Sequence, residues 1–186
     1  MKKFRIYLNA PITLLFVVMC LMTIVLNNVT DGASTDLLFC TYGSSWLDPL
    51  TYIRLFGHVL GHQNLSHLIS NSLYLLLLGP MLEEKYHDKI VIVILTTALV
   101  TGLTHNLLEP DIRLLGSSGI VFAFILLASI TGKEEGIPIT LILVAALWLG
   151  QEIYSGINTN DSISQLAHIL GGMSGALLGL IFKKND

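Results

Sequence analysis

Hydrophobic residues in this chain run in long blocks, not in the strict alternation of a strand or the narrow stripe of a surface helix. Six blocks stand out, at residues 11–29, 67–81, 90–108, 118–131, 137–154 and 165–182. A helix rises 1.5 Å per residue, so about 20 apolar residues cross a hydrocarbon core about 30 Å thick. The blocks reach or approach that length and predict six transmembrane helices. The fourth is short, as expected of a helix that begins below the membrane surface, inside the bundle. Charged turns at 83–89 and 132–136 separate neighbours. Residues 30–61 are different, with Trp46, Tyr42, Tyr52 and a leucine-rich pattern. A structureless loop of that length is improbable. Short helices lying in the headgroup layer explain it better.

Composition agrees with the pattern. Only 12% of residues are charged and 53% are hydrophobic, against about 25% charged in globular proteins. An all-α membrane protein is predicted, one domain over residues 1–186. The net charge of −3 includes no basic cluster of the kind that binds nucleic acid. Lys2, Lys3 and Arg5 before the first block resemble a signal peptide, but no small-residue cleavage site follows and further spans do. The first block therefore reads as an uncleaved span. Cys20 lies mid-span and Cys40 in the long loop, so no disulfide is expected. Placing the N-terminus inside puts Lys2, Lys3, Arg5, Lys85, Lys89, Lys133, Lys183 and Lys184 in the cytosol, with Arg54 and Arg113 outside. That bias orients both termini to the cytosol. Helices two, four and six then all start from the outer side.

Orientation gathers three scattered motifs. Helix two opens with His62-Gln63-Asn64-Leu65-Ser66-His67 and then Asn71; helix four with Gly116-Ser117-Ser118-Gly119; helix six with Gln165-Leu166-Ala167-His168. Polar residues at membrane depth mark functional sites, and these share one depth. His67 and Asn71, four apart, project from one helical face. Ser118 needs a base to become a nucleophile, and neutral His168 suits that task. Asp161 lies only in the preceding loop, so a dyad without an acidic third member is expected. The Ser118 backbone N–H, in the unpaired first turn of helix four, and side chains of His67 and Asn71 are candidate oxyanion donors. Gly171, Gly175 and Gly179 form a small-residue ridge on helix six, and Gly119 offers a matching flat spot on helix four.

The ordered set of His62, His67 and Asn71, then Gly116-Ser117-Ser118-Gly119, then Ala167-His168 before a glycine-rich helix, resembles the rhomboid intramembrane serine proteases. The resemblance covers essentially the whole chain. It implies a six-helix rhomboid-like bundle with a long interfacial first loop, of a minimal bacterial type in the inner (plasma) membrane. It implies Ser118 as nucleophile, His168 as general base, and His67, Asn71 and the Ser118 N–H as the oxyanion hole. Gly116, Gly119, Gly171 and Gly175 would support them. Arg54-Leu55-Phe56 looks like the family's tryptophan-arginine stretch with Ile53 in place of the tryptophan, and Phe122 stands where an aromatic stacks on the histidine. The implied substrates are transmembrane proteins with helix-destabilising segments, cut through an acyl-enzyme near the outer face after access between helices two and five. No cofactor is implied.

Other readings compete. Ser117 is the rival nucleophile, but adjacent helical residues point about 100° apart and only one can face His168. His58, His62, His67, His105 and His168 all fall in the outer half, yet no HExxH occurs and helices two, four and six lack acidic residues over these blocks, against a hydrolytic metal site. His58 and His62 read as interfacial hydrogen-bonding residues, His105 as a helix-end contact and His87 as cytosolic. Gln151 and Glu152, odd in lipid, read as reaching for the interface or the substrate side, and Trp148 as a packing aromatic. An inactive rhomboid-like protein that binds membrane clients would keep the fold without cutting. A transporter with a histidine relay would need charges through the membrane middle. Oligomeric state is not written in the sequence.

Overall fold

The computed structural model describes residues 6–130, 137–158 and 162–184. Among these, all regular structure is helical: α1 (Pro11–Val29), α2 (Ala33–Leu38), α3 (Pro49–Gly57), α4 (Leu65–Tyr86), α5 (Lys89–Leu108), α6 (Ser118–Ala128), α7 (Ile139–Asn158) and α8 (Ser162–Lys184). Each of the six apolar blocks forms a helix, and the loop 30–61 holds the two short ones. Among the described residues four helices are long and apolar enough to cross a membrane: Pro11–Val29, Leu65–Tyr86, Lys89–Leu108 and Gln165–Phe182. The apolar parts of α6 and α7, Ser118–Ala128 and Ile139–Trp148, are shorter. Eleven residues give α6 a length of only about 16 Å.

Helix limits differ from the sequence expectation for local reasons. The apolar block covers 67–81, but α4 starts at Leu65 because the Asn64 side chain caps it, accepting from His67 N–H at 2.9 Å. It then runs through Pro80 to Tyr86. The charged stretch that suggested a turn is helical because Glu83 faces inward. Its carboxylate accepts from the N–H groups of Ile12 (2.9 Å) and Thr13 (3.0 Å) and from the Thr13 hydroxyl (3.0 Å). Ala10, at the α1 N-cap, has no side chain to cap with, so a carboxylate from α4 supplies both the hydrogen bonds and the charge that the helix start favours. The fourth block ends at Ala128 and not at 131, where the Ser129 hydroxyl turns back to the Leu126 carbonyl at 2.6 Å. Helices α7 and α8 run on to Asn158 and Lys184; no proline interrupts either end.

Short α6 sits at the centre and touches α4, α5, α7 and α8. Ile120, Ala123, Phe124 and Leu127 on it are almost wholly buried, so the helix is apolar all round, as a central helix must be. Closest approach is to α8. A Cβ added to Gly171 would meet the Gly119 carbonyl oxygen, and one added to Gly175 would lie 2.5 Å from Ala123 Cα. Packing backbone on backbone this way requires glycine.

The long loop is anchored at one end of the bundle. Thr41 pairs with Leu114 through two backbone bonds of 2.9 Å, and its hydroxyl donates to Asn106 Oδ1 at 2.8 Å. Buried Arg54 reaches Asp48 (3.0 Å) and Ser44 (3.1 Å) and lies over the Tyr42 ring. Ile53 beside it is half exposed. Cys20 and Cys40 are free thiols, each buried in a different environment.

Candidate active site

Ser118 opens α6, and His168 lies on α8 three residues before the contact at Gly171. Because the α8 backbone meets α6 at Gly119, the two side chains face each other across the seam. Ser118 Oγ is 2.8 Å from His168 Nε2, within ordinary hydrogen-bond range. Phe122, one turn further along α6, packs its ring 4.7 Å from the imidazole and 4.9 Å from the Trp148 ring of α7. Trp148 in turn occupies the surface left flat by Gly172.

These residues line a cavity of about 540 Å³, together with His67, Asn71 and Tyr74 of α4. All four residues named for chemistry thus open on one space. Gly116 precedes it with φ of +131°, a conformation open to glycine, and a Cβ there would press on the His67 ring at 2.9 Å. Gln151 and Glu152 have side chains outside the described residues, and Asp161 lies outside them altogether.

Ser117 is placed differently from its neighbour. It is fully buried, and its hydroxyl lies 3.2 Å from His62 Nε2. Asn71 Nδ2 lies 3.2 Å from that same nitrogen. His62, expected at the interface, is buried instead, and burial pushes its imidazole down to about 4, with the neighbouring His67 acting in the same direction. His58 is also buried, bonded to the Arg54 carbonyl and Thr101. These two corrections share one cause: residues 57–62 run beneath the loop, where Gly57 and Gly61 lie against backbone atoms of Leu38 and Phe39. No helical periodicity marks such a stretch, and only the repeated pairing of glycine and histidine hinted at it. His105 makes the expected helix-end contact, 2.8 Å to the Ile112 carbonyl. Among the described residues no group of three or more His, Cys, Asp or Glu could hold a metal ion.

A helical membrane bundle with a serine and a histidine paired at one end of its central seam is the class that fold and site define. The chain belongs to the rhomboid family: residues 49–185 match the family model of the Rhomboid domain. It is 28% identical over 183 residues, 95% of its length, to proteins named rhomboid protease GlpG from Yersinia pestis (strain Pestoides F) and Yersinia pseudotuberculosis serotype IB. It is 29% identical over 143 residues to rhomboid-related protein 1 of Caenorhabditis elegans, covering 71% of this chain and 40% of that protein. The chain spans 64% of the length of the Yersinia relatives. Family and apolar helices together make it an integral membrane protein.

Proposed function

We propose that this protein is an intramembrane serine endopeptidase acting on transmembrane segments of other membrane proteins. The observation that carries the reading is the 2.8 Å contact between Ser118 Oγ and His168 Nε2 at the wall of an open cavity. Ser118 attacks the scissile carbonyl carbon as its proton passes to Nε2. The resulting oxyanion accepts hydrogen bonds from the Ser118 N–H, the Asn71 amide and His67. His168 then gives its proton to the departing amine, leaving an acyl-serine. Water, deprotonated by the same nitrogen, releases it. The N-cap geometry supports the oxyanion role: Ser117 makes no side-chain bond to the first turn of α6, so those N–H groups stay available.

Six crossings, cytosolic termini and a cut near the outer face complete the proposal. The loop-bearing end of the bundle is then the outer end, and the cavity there admits water. A substrate helix must unwind to expose its carbonyl. The test compares cleavage of a transmembrane reporter by wild type, Ser118→Ala, Ser117→Ala and His168→Ala in proteoliposomes. Loss of cleavage in Ser118→Ala and His168→Ala, with cleavage retained in Ser117→Ala, is expected. Labelling by a fluorophosphonate, abolished in Ser118→Ala, separates an enzyme from a client-binding protein. Equal cleavage by wild type and Ser118→Ala overturns the proposal.

A further inference from the structure

His62 has a partner for each ring nitrogen, and the partners fix its tautomer. Nδ1 lies 3.1 Å from the Leu60 carbonyl oxygen. A carbonyl can only accept, so Nδ1 carries the proton. That carbonyl is itself held, taking the Thr23 hydroxyl of α1 at 2.6 Å. In the neutral ring, which burial favours, Nε2 is therefore a bare lone pair. Two donors share it, Asn71 Nδ2 and Ser117 Oγ, each at 3.2 Å.

Both bonds act on groups beside Ser118. An asparagine side chain can present either its oxygen or its nitrogen to a neighbour. A lone pair at Nε2 accepts only the nitrogen, so one amide N–H is tied to His62 and the other is left for the cavity that Asn71 lines. Serine at an N-cap ordinarily turns its oxygen to the N–H groups of the first turn. Here the Ser117 hydroxyl is drawn to His62 and caps nothing. We propose that His62 is a positioning residue for the oxyanion-binding wall, its Nε2 lone pair orienting the Asn71 amide and keeping the Ser117 side chain off the start of α6. This rests on the protease reading above and assigns a buried loop histidine a part in the rate of cleavage without contact to substrate.

The test uses the full chain in proteoliposomes with a transmembrane reporter, and compares wild type, Ser118→Ala, His62→Gln, His62→Phe, Asn71→Ala and the His62→Phe, Asn71→Ala double variant. Loss of an oxyanion donor outright costs about 10²- to 10³-fold in kcat. Misorienting one is expected to lower kcat in His62→Phe about tenfold or more, with KM within about twofold. Gln at 62, which can place an acceptor near the Nε2 position, restores kcat to within about fivefold of wild type. Because the two residues share the Asn71 amide as target, the double variant falls well short of the product of the two single losses. His62→Phe with wild-type kcat, a double loss equal to the product of the single losses, or no rescue by Gln overturns the inference. Should Phe at 62 prevent folding, His62→Leu replaces it. An arm free of mutation is ¹⁵N NMR of the imidazoles, which should find His62 protonated on Nδ1; protonation on Nε2 overturns the inference. Wild type no more active than Ser118→Ala overturns the protease reading, while the NMR arm still judges the His62 tautomer by itself.

Discussion

Substituting Gly171 by alanine adds one methyl group at the tightest point of the α6–α8 seam. That carbon would lie 2.7 Å from both the Cα and the carbonyl carbon of Gly119 and would meet the carbonyl oxygen as well. Carbon atoms in contact need about 3.5 to 4.0 Å, so α8 must retreat by about 1 Å. Backbone atoms cannot fold away as a long side chain would. His168 precedes Gly171 by less than one turn and moves with it. A 2.8 Å bond to Ser118 lengthened by about 1 Å leaves the hydrogen-bonding range. Displacing a catalytic group by about 1 Å costs about 10²-fold in rate. Overpacking costs about 1–3 kcal/mol of stability. Gly150 of α7 is the control, since a Cβ there meets nothing within 4 Å, and alanine in an exposed helix gains up to about 1 kcal/mol over glycine. Reporter cleavage and thermal unfolding in the same detergent measure both effects. Gly171→Ala should fall about 10²-fold in kcat while Gly150→Ala keeps wild-type activity and an equal or higher Tm. Wild-type kcat in Gly171→Ala would refute the claim that this seam sets the Ser118–His168 distance.

Three further outcomes follow from groups other than Ser118 and His168. Glu83→Ala removes the acceptor of three hydrogen bonds at the start of α1 and is expected to cost about 2–3 kcal/mol, read as a lower Tm with cleavage retained well below it. Asp48 is held below the ordinary carboxylate range first by the Leu50 N–H and then by Arg54. The anchoring this gives the loop is present above the unfolded value of about 3.9 and fades as pH falls further; protection of residues 44–54 from hydrogen exchange should show that loss, and Asp48→Asn should lack it. His58 and His62 both drop from 6.5 to about 4 through burial. Between those values the unfolded chain binds more protons, so stability is full above about 6.5 and declines toward pH 4. Tm should fall across that window, and by less in His62→Gln; a flat profile contradicts buried neutral rings.

Much of this arrangement was legible because a membrane limits what a chain can do. Apolar blocks fixed six helices to within a few residues, and a shared end for helices two, four and six placed Ser118, His168, His67 and Asn71 at one depth. Their convergence on one cavity required only that polar faces turn inward. The end of α4 departs from its apolar block for a definite reason. Glu83, Glu84 and Lys85 look like a solvated turn, and the partner that makes Glu83 a buried helical residue is backbone some 70 positions earlier. Backbone N–H groups are the same in every residue but proline and leave no mark in a sequence. His62 reads as interfacial for a similar reason: the partners that bury it, Leu60, Asn71 and Ser117, come together only in the fold, around a segment without periodicity.

The paired serines of Gly116-Ser117-Ser118-Gly119 show how burial decides between identical chemistries. The sequence favours Ser118 as the nucleophile and keeps Ser117 as its rival, since both hydroxyls stand at the start of α6. Side chains about 100° apart on a helix meet different neighbours. Ser117 points into the protein, fully buried, with its hydroxyl given to His62. A nucleophile there would have no cavity to receive a substrate. Ser118, partly exposed at the cavity wall, has His168 within 2.8 Å. Exchanging their surroundings would need α6 to rotate by more than a quarter turn, which the glycine contacts of α8 with Gly119 and Ala123 forbid. The seam that brings His168 to one serine is therefore also what withholds the other.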